Sequence, residues 1–197
     1  MATLADAESD AVAIELTLDS WAGGDNITAM LALEKTEAKY HKENELEAGI
    51  NSTISIKIGE EKLSKRGFSV STEEVLDLLL HIDRFLGKRG SEDEFEWSTA
   101  DPSVQMLKAM REGNIAHVDL FLKVYGEPEG YMGNAGLEFR FDTSLDNIIA
   151  FGGQLRDELL RLLKRDNQLF ERLEHQLESK IEVIRGTGRS PYKVSNA

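Results

Sequence analysis

The chain has 197 residues, of which 36 are acidic and 23 basic, for a formal charge of −13. That is the wrong sign for a protein whose main work is gripping phosphate backbones, which needs a basic stripe. It contains no cysteine, which excludes disulfides, a Cys nucleophile, zinc–thiolate sites and iron–sulfur clusters. With 41% hydrophobic and 30% charged residues, it has the composition of a globular protein able to bury a core without staples.

The first ten residues offer neither the cationic start nor the apolar run of about 7–15 residues of a signal peptide. No apolar stretch approaches the ~20 residues of a membrane helix. A cytoplasmic, unanchored protein is expected.

Val12, Ile14, Leu16 and Leu18 alternate with Ala13, Glu15, Thr17 and Asp19, the period-two mark of a half-buried strand. Gly23-Gly-Asp-Asn26 reads as a turn, and Ile27, Ala29, Leu31 and Leu33 alternate again, predicting a hairpin with a helix from Thr28 as the competing form. Glu34 to Gly49 is charged without a firm stripe. Ile54, Ile56, Ile58 and then Phe68 and Val70 predict two antiparallel strands joined near Gly59-Glu-Glu-Lys62. Ser71 or Thr72, followed by Glu73 and Glu74, marks a helix start. Val75, Leu76, Leu79, Ile82 and Leu86 form its apolar stripe, and Gly87 is placed to end it.

Ser91-Glu-Asp-Glu-Phe-Glu-Trp97 predicts a strand with one acidic face, and Ile115 to Tyr125 is the most regular strand pattern in the chain. A glycine-rich connection, Gly126 to Gly136, leads to a further alternation, Leu137-Glu-Phe-Arg-Phe141. Asp142, Thr143 or Ser144 then caps a second helix with Leu145, Ile148, Ile149, Leu155, Leu159, Leu162 and Leu163 on its core face. Gly152 and Gly153 cost that helix about 1 kcal/mol each against alanine, pointing to close packing against a sheet or to a kink. Asp166 and Asn167 break the stripe. Leu169, Leu173, Leu177 and Ile181 then give a short docking face that could pair with a second copy, and 186–197 reads as a flexible tail.

Gly67 to Leu76 and Gly136 to Leu145 each run a strand straight into a capped helix. These patterns predict an α+β fold: antiparallel sheets with helices on one face as a single domain over 1–165, an amphipathic helix over 166–185, and the tail.

His117 and Asp119 fall on one strand face, where they could hydrogen-bond or share a metal, whereas His81 and Asp83 on a helix point apart. No third ligand stands at a recognisable spacing, so no metal and no cofactor is expected. The run Glu92, Asp93, Glu94, Glu96 lacks the environments that push carboxylate pKa values apart for acid–base chemistry. With Phe95 and Trp97 among them, these acids fit a solvated or partner-binding face. The glycines of 126–136 do not match a phosphate cradle. Residues 1–100 hold 21 acids and 10 bases and residues 101–197 hold 15 and 13, so a field steering a basic partner is expected from the first half.

From about Phe68 to Leu163 the order of features resembles the WapI-type immunity proteins that protect bacteria from contact-dependent toxins. The capped helix Ser71–Leu86 is followed by Phe95-Glu-Trp-Ser-Thr-Ala-Asp-Pro-Ser-Val104 and Gly113-Asn-Ile-Ala-His-Val-Asp-Leu120. Gly136-Leu-Glu-Phe-Arg-Phe-Asp142 and Phe151-Gly-Gly-Gln-Leu155 complete the series. The resemblance implies a non-enzymatic protein that occludes one cognate toxin. The surface expected to dock a basic protein partner, a toxin or nuclease, comprises Glu92, Asp93, Glu94 and Glu96, then His117, Phe121 and Tyr125. Alternatives are a DNA-mimicking inhibitor of a nucleic-acid enzyme and a secretion or assembly chaperone. Neither direct nucleic-acid binding nor a membrane is expected.

Overall fold

The computed structural model describes residues 1–9, 11–21, 49–88, 92–99, 104–125 and 134–165. The fold is α+β and built from two antiparallel four-stranded meanders, each running directly into a helix. Strands β1 (Ala2–Ala5), β2 (Val12–Trp21), β3 (Gly49–Ile58) and β4 (Glu61–Ser71) lie side by side in that order and lead into α1 (Thr72–Phe85). Strands β5 (Glu94–Trp97), β6 (Val104–Glu112), β7 (Ile115–Tyr125) and β8 (Asn134–Ser144) repeat the plan and lead into α2 (Leu145–Arg165).

Local chemistry accounts for the joints. The β3–β4 and β6–β7 hairpins each turn on two residues, Gly59-Glu60 and Gly113-Asn114. In both the glycine has positive φ, +62° and +65°, a conformation that a side chain would strain. Ser71 caps α1 through a full capping box: its hydroxyl accepts from Glu74 N at 3.1 Å while the Glu74 carboxylate accepts from Ser71 N at 2.6 Å. Ser144 does the same work for α2, accepting from Asn147 N at 3.1 Å. Asn114 O accepts a further helix-start N–H, from Leu145.

The helices exchange sheets. α1 packs on β5, where Trp97 Nε1 donates to Glu74 O at 2.7 Å and Phe95 meets Phe85 edge-on. α2 crosses back over β1 and β2 of the first sheet. There it supplies partners for Leu18, which lies beyond the end of β1 and beside a register shift in β2. Leu18 N donates to Glu158 at 2.8 Å and Leu18 O accepts from Arg161 at 3.1 Å. The two sheets are stitched where β1 ends: Ala7 N donates to Asp142 O, and Asn147 reaches the carbonyls of Ala5 and Asp6. The inward faces form one core, with Ile14, Leu16, Leu18, Leu76, Leu79, Phe85, Leu120, Leu155 and Leu159 all buried. No helix among the described residues is long and apolar enough to cross a membrane.

Several expectations need correction. The close packing at Gly152 is against the other helix, not a sheet: a Cβ there would lie 3.1 Å from Ile82 Cγ2. Gly153 meets nothing within 4 Å, and α2 runs unbroken through both glycines. β2 is flanked by β1 and β3, and the segment 27–33 expected to pair with it lies outside the described residues. So do the terminal helix and tail, 166–197. Of the capping candidates, Ser71 and Ser144 serve.

Candidate functional site

Alternation along four strands sorts the second sheet into two faces. Phe95, Trp97, Leu107, Ala109, Ala116, Val118, Leu120, Leu122 and Phe141 point into the core. The intervening residues line up across the strands on the outside. One row runs Glu94, Met110, His117, Asp142; the next runs Glu96, Lys108, Asp119, Arg140; a third pairs Phe121 with Glu138. Glu112 stands opposite Ile115 at the hairpin end of the same face.

This face carries six carboxylates (Glu94, Glu96, Glu112, Asp119, Glu138, Asp142) against three permanent cations by register position, Lys108, Lys123 and Arg140. Its net charge is therefore three negative, or two with His117 protonated. The corresponding face of the first sheet is balanced: Glu15 is held by Lys62 at 2.5 Å, Asp19 accepts from Thr53 at 2.6 Å, and Lys57 stands in the row beside Lys62. Of these two sheet faces among the described residues, the second is the one that carries net negative charge.

Lys108 and Arg140 are engaged but do not neutralise the face. Arg140 bridges Asp119, at 3.0 Å from Nε, and Glu138. Lys108 Nζ lies 3.9 Å from Glu94. His117 sits between two carboxylates, with Nε2 2.9 Å from Glu112 and Nδ1 2.6 Å from Asp142. Hydrogen bonds to Glu112 first, and to Asp142, hold its pKa above the ordinary imidazole value. The two carboxylates flank the ring on opposite sides. Among the described residues no group of three or more His, Asp or Glu side chains is set to hold a metal ion.

Apolar side chains interrupt the charge. Met110, directly opposite His117 on β6, and Ile115, two residues before it on β7, are 49% and 43% exposed. Phe121 lies across the neighbouring strand: a Cβ on Gly136 would overlap its Cζ. The glycine makes room for the ring, which covers backbone that would otherwise be bare.

Of the residues expected to dock a partner, Glu94, Glu96, His117 and Phe121 come together here, joined by register across β5 to β8. Two surfaces separate in the sequence are one in the fold. Tyr125 occupies the register position opposite Asn134, at the far end of β7. Glu92 lies elsewhere, against α1, with Oε1 3.6 Å from Arg84 Nη1 and Oε2 4.0 Å from His81 Nδ1. Asp93 is exposed just ahead of β5, and its carbonyl accepts from Arg111 N at 2.7 Å. Asp119 does not partner His117 but Arg140 of the adjacent strand. His81 and Asp83 do point apart: His81 stacks on Phe95, while Asp83 is buried against Arg156.

Glu112, Glu138, Arg140 and Asp142 were not singled out from the sequence as surface residues. The alternation Leu137-Glu-Phe-Arg-Phe-Asp142 is the signal that places three of them opposite the core. No family model matches the chain, and neither a curated protein nor a solved structure matches it.

Proposed function

We propose that the protein is a non-enzymatic binding protein that docks a basic protein partner on the outer face of its second sheet. Occlusion of a toxin or nuclease in the manner of an immunity protein is the form we favour. The observation that carries this reading is the concentration of six carboxylates on one sheet face, against three lysine or arginine positions, with exposed Met110 and Ile115 among them. Surface charge of one sign steers encounter with a partner of the other, and apolar side chains that become desolvated hold the complex. The face lies on strands, so the groups are held by a rigid ladder before any partner arrives. The order of features shared with WapI-type immunity proteins supports the same reading. Interleaved Lys108 and Arg140 speak against mimicry of DNA, where acids would run uninterrupted like phosphates.

The test is a comparison of the native protein with a Glu94→Ala/Glu96→Ala/Glu138→Ala variant. Each is used as bait in the host that makes the protein, and the affinity of any recovered partner is then measured at two salt concentrations. The expected result is a basic partner bound by the native chain, with weaker and less salt-dependent binding by the variant. Equal affinity and equal salt slope would remove this face from the proposal.

A further inference from the structure

The contacts of His117 ask for a cation. Both ring nitrogens face carboxylate oxygens, Nδ1 at 2.6 Å from Asp142 and Nε2 at 2.9 Å from Glu112. A neutral imidazole has one N–H and one lone pair, so it satisfies one of these contacts and turns a lone pair towards the other carboxylate. Only the imidazolium satisfies both. The position is therefore a gap between two acids, filled by a cation that the chain itself can withdraw by losing a proton.

The surroundings suit a second kind of cation. Asp142 and Glu112 are open to solvent, with side chains 57% and 82% exposed. Met110 and Ile115 lie beside the gap as exposed apolar ground. A lysine or arginine has the matching shape, since its methylene stem lies on apolar surface while its charged head reaches a polar group. The remaining charged groups facing His117 are Glu94 of β5, Lys108 of β6, Asp119 of β7 and Arg140 of β8. Lys108 pairs with Glu94 and Arg140 with Asp119, so none competes for Glu112 or Asp142.

We infer that Glu112 and Asp142 form the entry point for a lysine or arginine of the partner, with the proton on His117 as its built-in competitor. This rests on the docking role proposed for the face. It adds that binding and protonation of His117 oppose each other: a partner ammonium beside the two acids favours the neutral imidazole, so binding promotes release of a proton. Linkage then requires affinity to rise as pH rises through the His117 titration, and requires the bound cation to lower the His117 pKa by the same factor.

Decalysine serves as the probe with the full-length chain. Its affinity is measured at low salt from about pH 5.5 to about pH 9, a span that brackets imidazole titration and leaves lysine charged. One unit of charge about 6 Å from an ammonium in water alters affinity about threefold, and that is the rise expected for the native chain. His117→Gln, on an exposed strand position, should bind at the upper level throughout, leaving only the shallow slope contributed by other groups. In parallel, the His117 ring is titrated by NMR with and without decalysine. The expected results are a pKa above the ordinary imidazole value in the free protein, lowered by the probe, and lowered in Glu112→Gln without it.

Equal pH dependence in the native chain and His117→Gln would overturn the inference while leaving the docking face intact. So would a His117 titration that the bound probe does not move. Decalysine binding that is indifferent to Glu94→Ala/Glu96→Ala/Glu138→Ala would overturn the docking proposal as well.

Discussion

Replacing Arg156 with methionine should cost more stability than any surface change in this protein. Arg156 Nη2 donates to Asp83 Oδ1 at 2.5 Å across the α1–α2 contact, with side-chain exposures of 12% and 5%. Removing one member of a buried pair leaves the other charge desolvated and uncompensated, at a cost of about 3–5 kcal/mol. Lys88 Nζ is 3.7 Å from the same oxygen but half-exposed, so it offsets at most about 1 kcal/mol. The net loss is then about 2–4 kcal/mol, or a fall in Tm of about 5–15 °C for a chain of this size. Urea unfolding followed by circular dichroism reads it directly, as a lower midpoint at constant m. The double replacement Asp83→Leu/Arg156→Met removes both charges and fills the space, and it should recover most of the loss. A cost below about 1 kcal/mol for Arg156→Met would refute the buried-pair reasoning. So would a double variant no more stable than the single one.

Three further outcomes follow from local geometry. Gly153→Ala should stabilise by about 0.5–1 kcal/mol, because a Cβ there meets nothing. Gly152→Ala should be less stable than Gly153→Ala by about 1–3 kcal/mol, because its Cβ lies 3.1 Å from the methyl of buried Ile82. Thermal unfolding of the pair decides, and equal Tm values would show that the helices have room to part. Ser71→Ala should cost about 1 kcal/mol, and at least as much as Ser144→Ala, because its capping box satisfies two backbone donors reciprocally; chemical denaturation of both variants checks the order. Gly136→Ala and Phe121→Ala break one contact from opposite sides, so their costs should sum to more than that of the double variant; strict additivity would mean that the ring does not rest on the glycine.

Legibility tracked the range over which each feature is encoded. The α1 boundaries were readable because a capping box and a terminal glycine lie within a few residues of the ends they define; Ser71 caps and Gly87 takes φ +73°. β7 was readable because its alternation spans eleven residues. β6 was missed for a physical reason: Gln105, Met106, Leu107, Lys108, Ala109, Met110, Arg111 and Glu112 are all good helix formers, and only pairing with β5 and β7 makes this stretch a strand. β1, four residues long, is too short for any period to show. The two glycines of α2 announced close packing, but only Gly152 meets a neighbour, and that the neighbour is α1 depended on the helix exchange, a tertiary fact.

The site shows the same division more sharply. Glu94 and Glu96 were recognised as one face and His117 and Phe121 as another, yet they are neighbours because Glu94 pairs with Met110 and Met110 with His117. That register is set by hairpin turns and core packing, not by anything adjacent to those residues in the chain. Charge counted by chain half misled for the same reason. The first half is the acidic one, but four of the six carboxylates on the outer face of the second sheet, Glu112, Asp119, Glu138 and Asp142, come from the half that counted as near neutral. A field is made by where charges sit on the folded surface, and strand alternation can gather acids on one side while their counter-charges face elsewhere.

The fold also explains why this face is left open. Each helix covers the inner side of the other meander, α1 against β5 and α2 against β1 and β2, so both helices are spent on the shared core. Among the described residues neither helix covers the outer side of the second sheet, and the sequence places charged groups and a few exposed apolar ones there. Solubility alone would be served by any charged residues in any order. What solubility does not ask for is an imidazole with both nitrogens on carboxylates, two exposed apolar side chains beside it, and a glycine opposite an aromatic ring, all within one patch. Those features are what the proposed docking role would use, because each becomes worth more once water is removed from it.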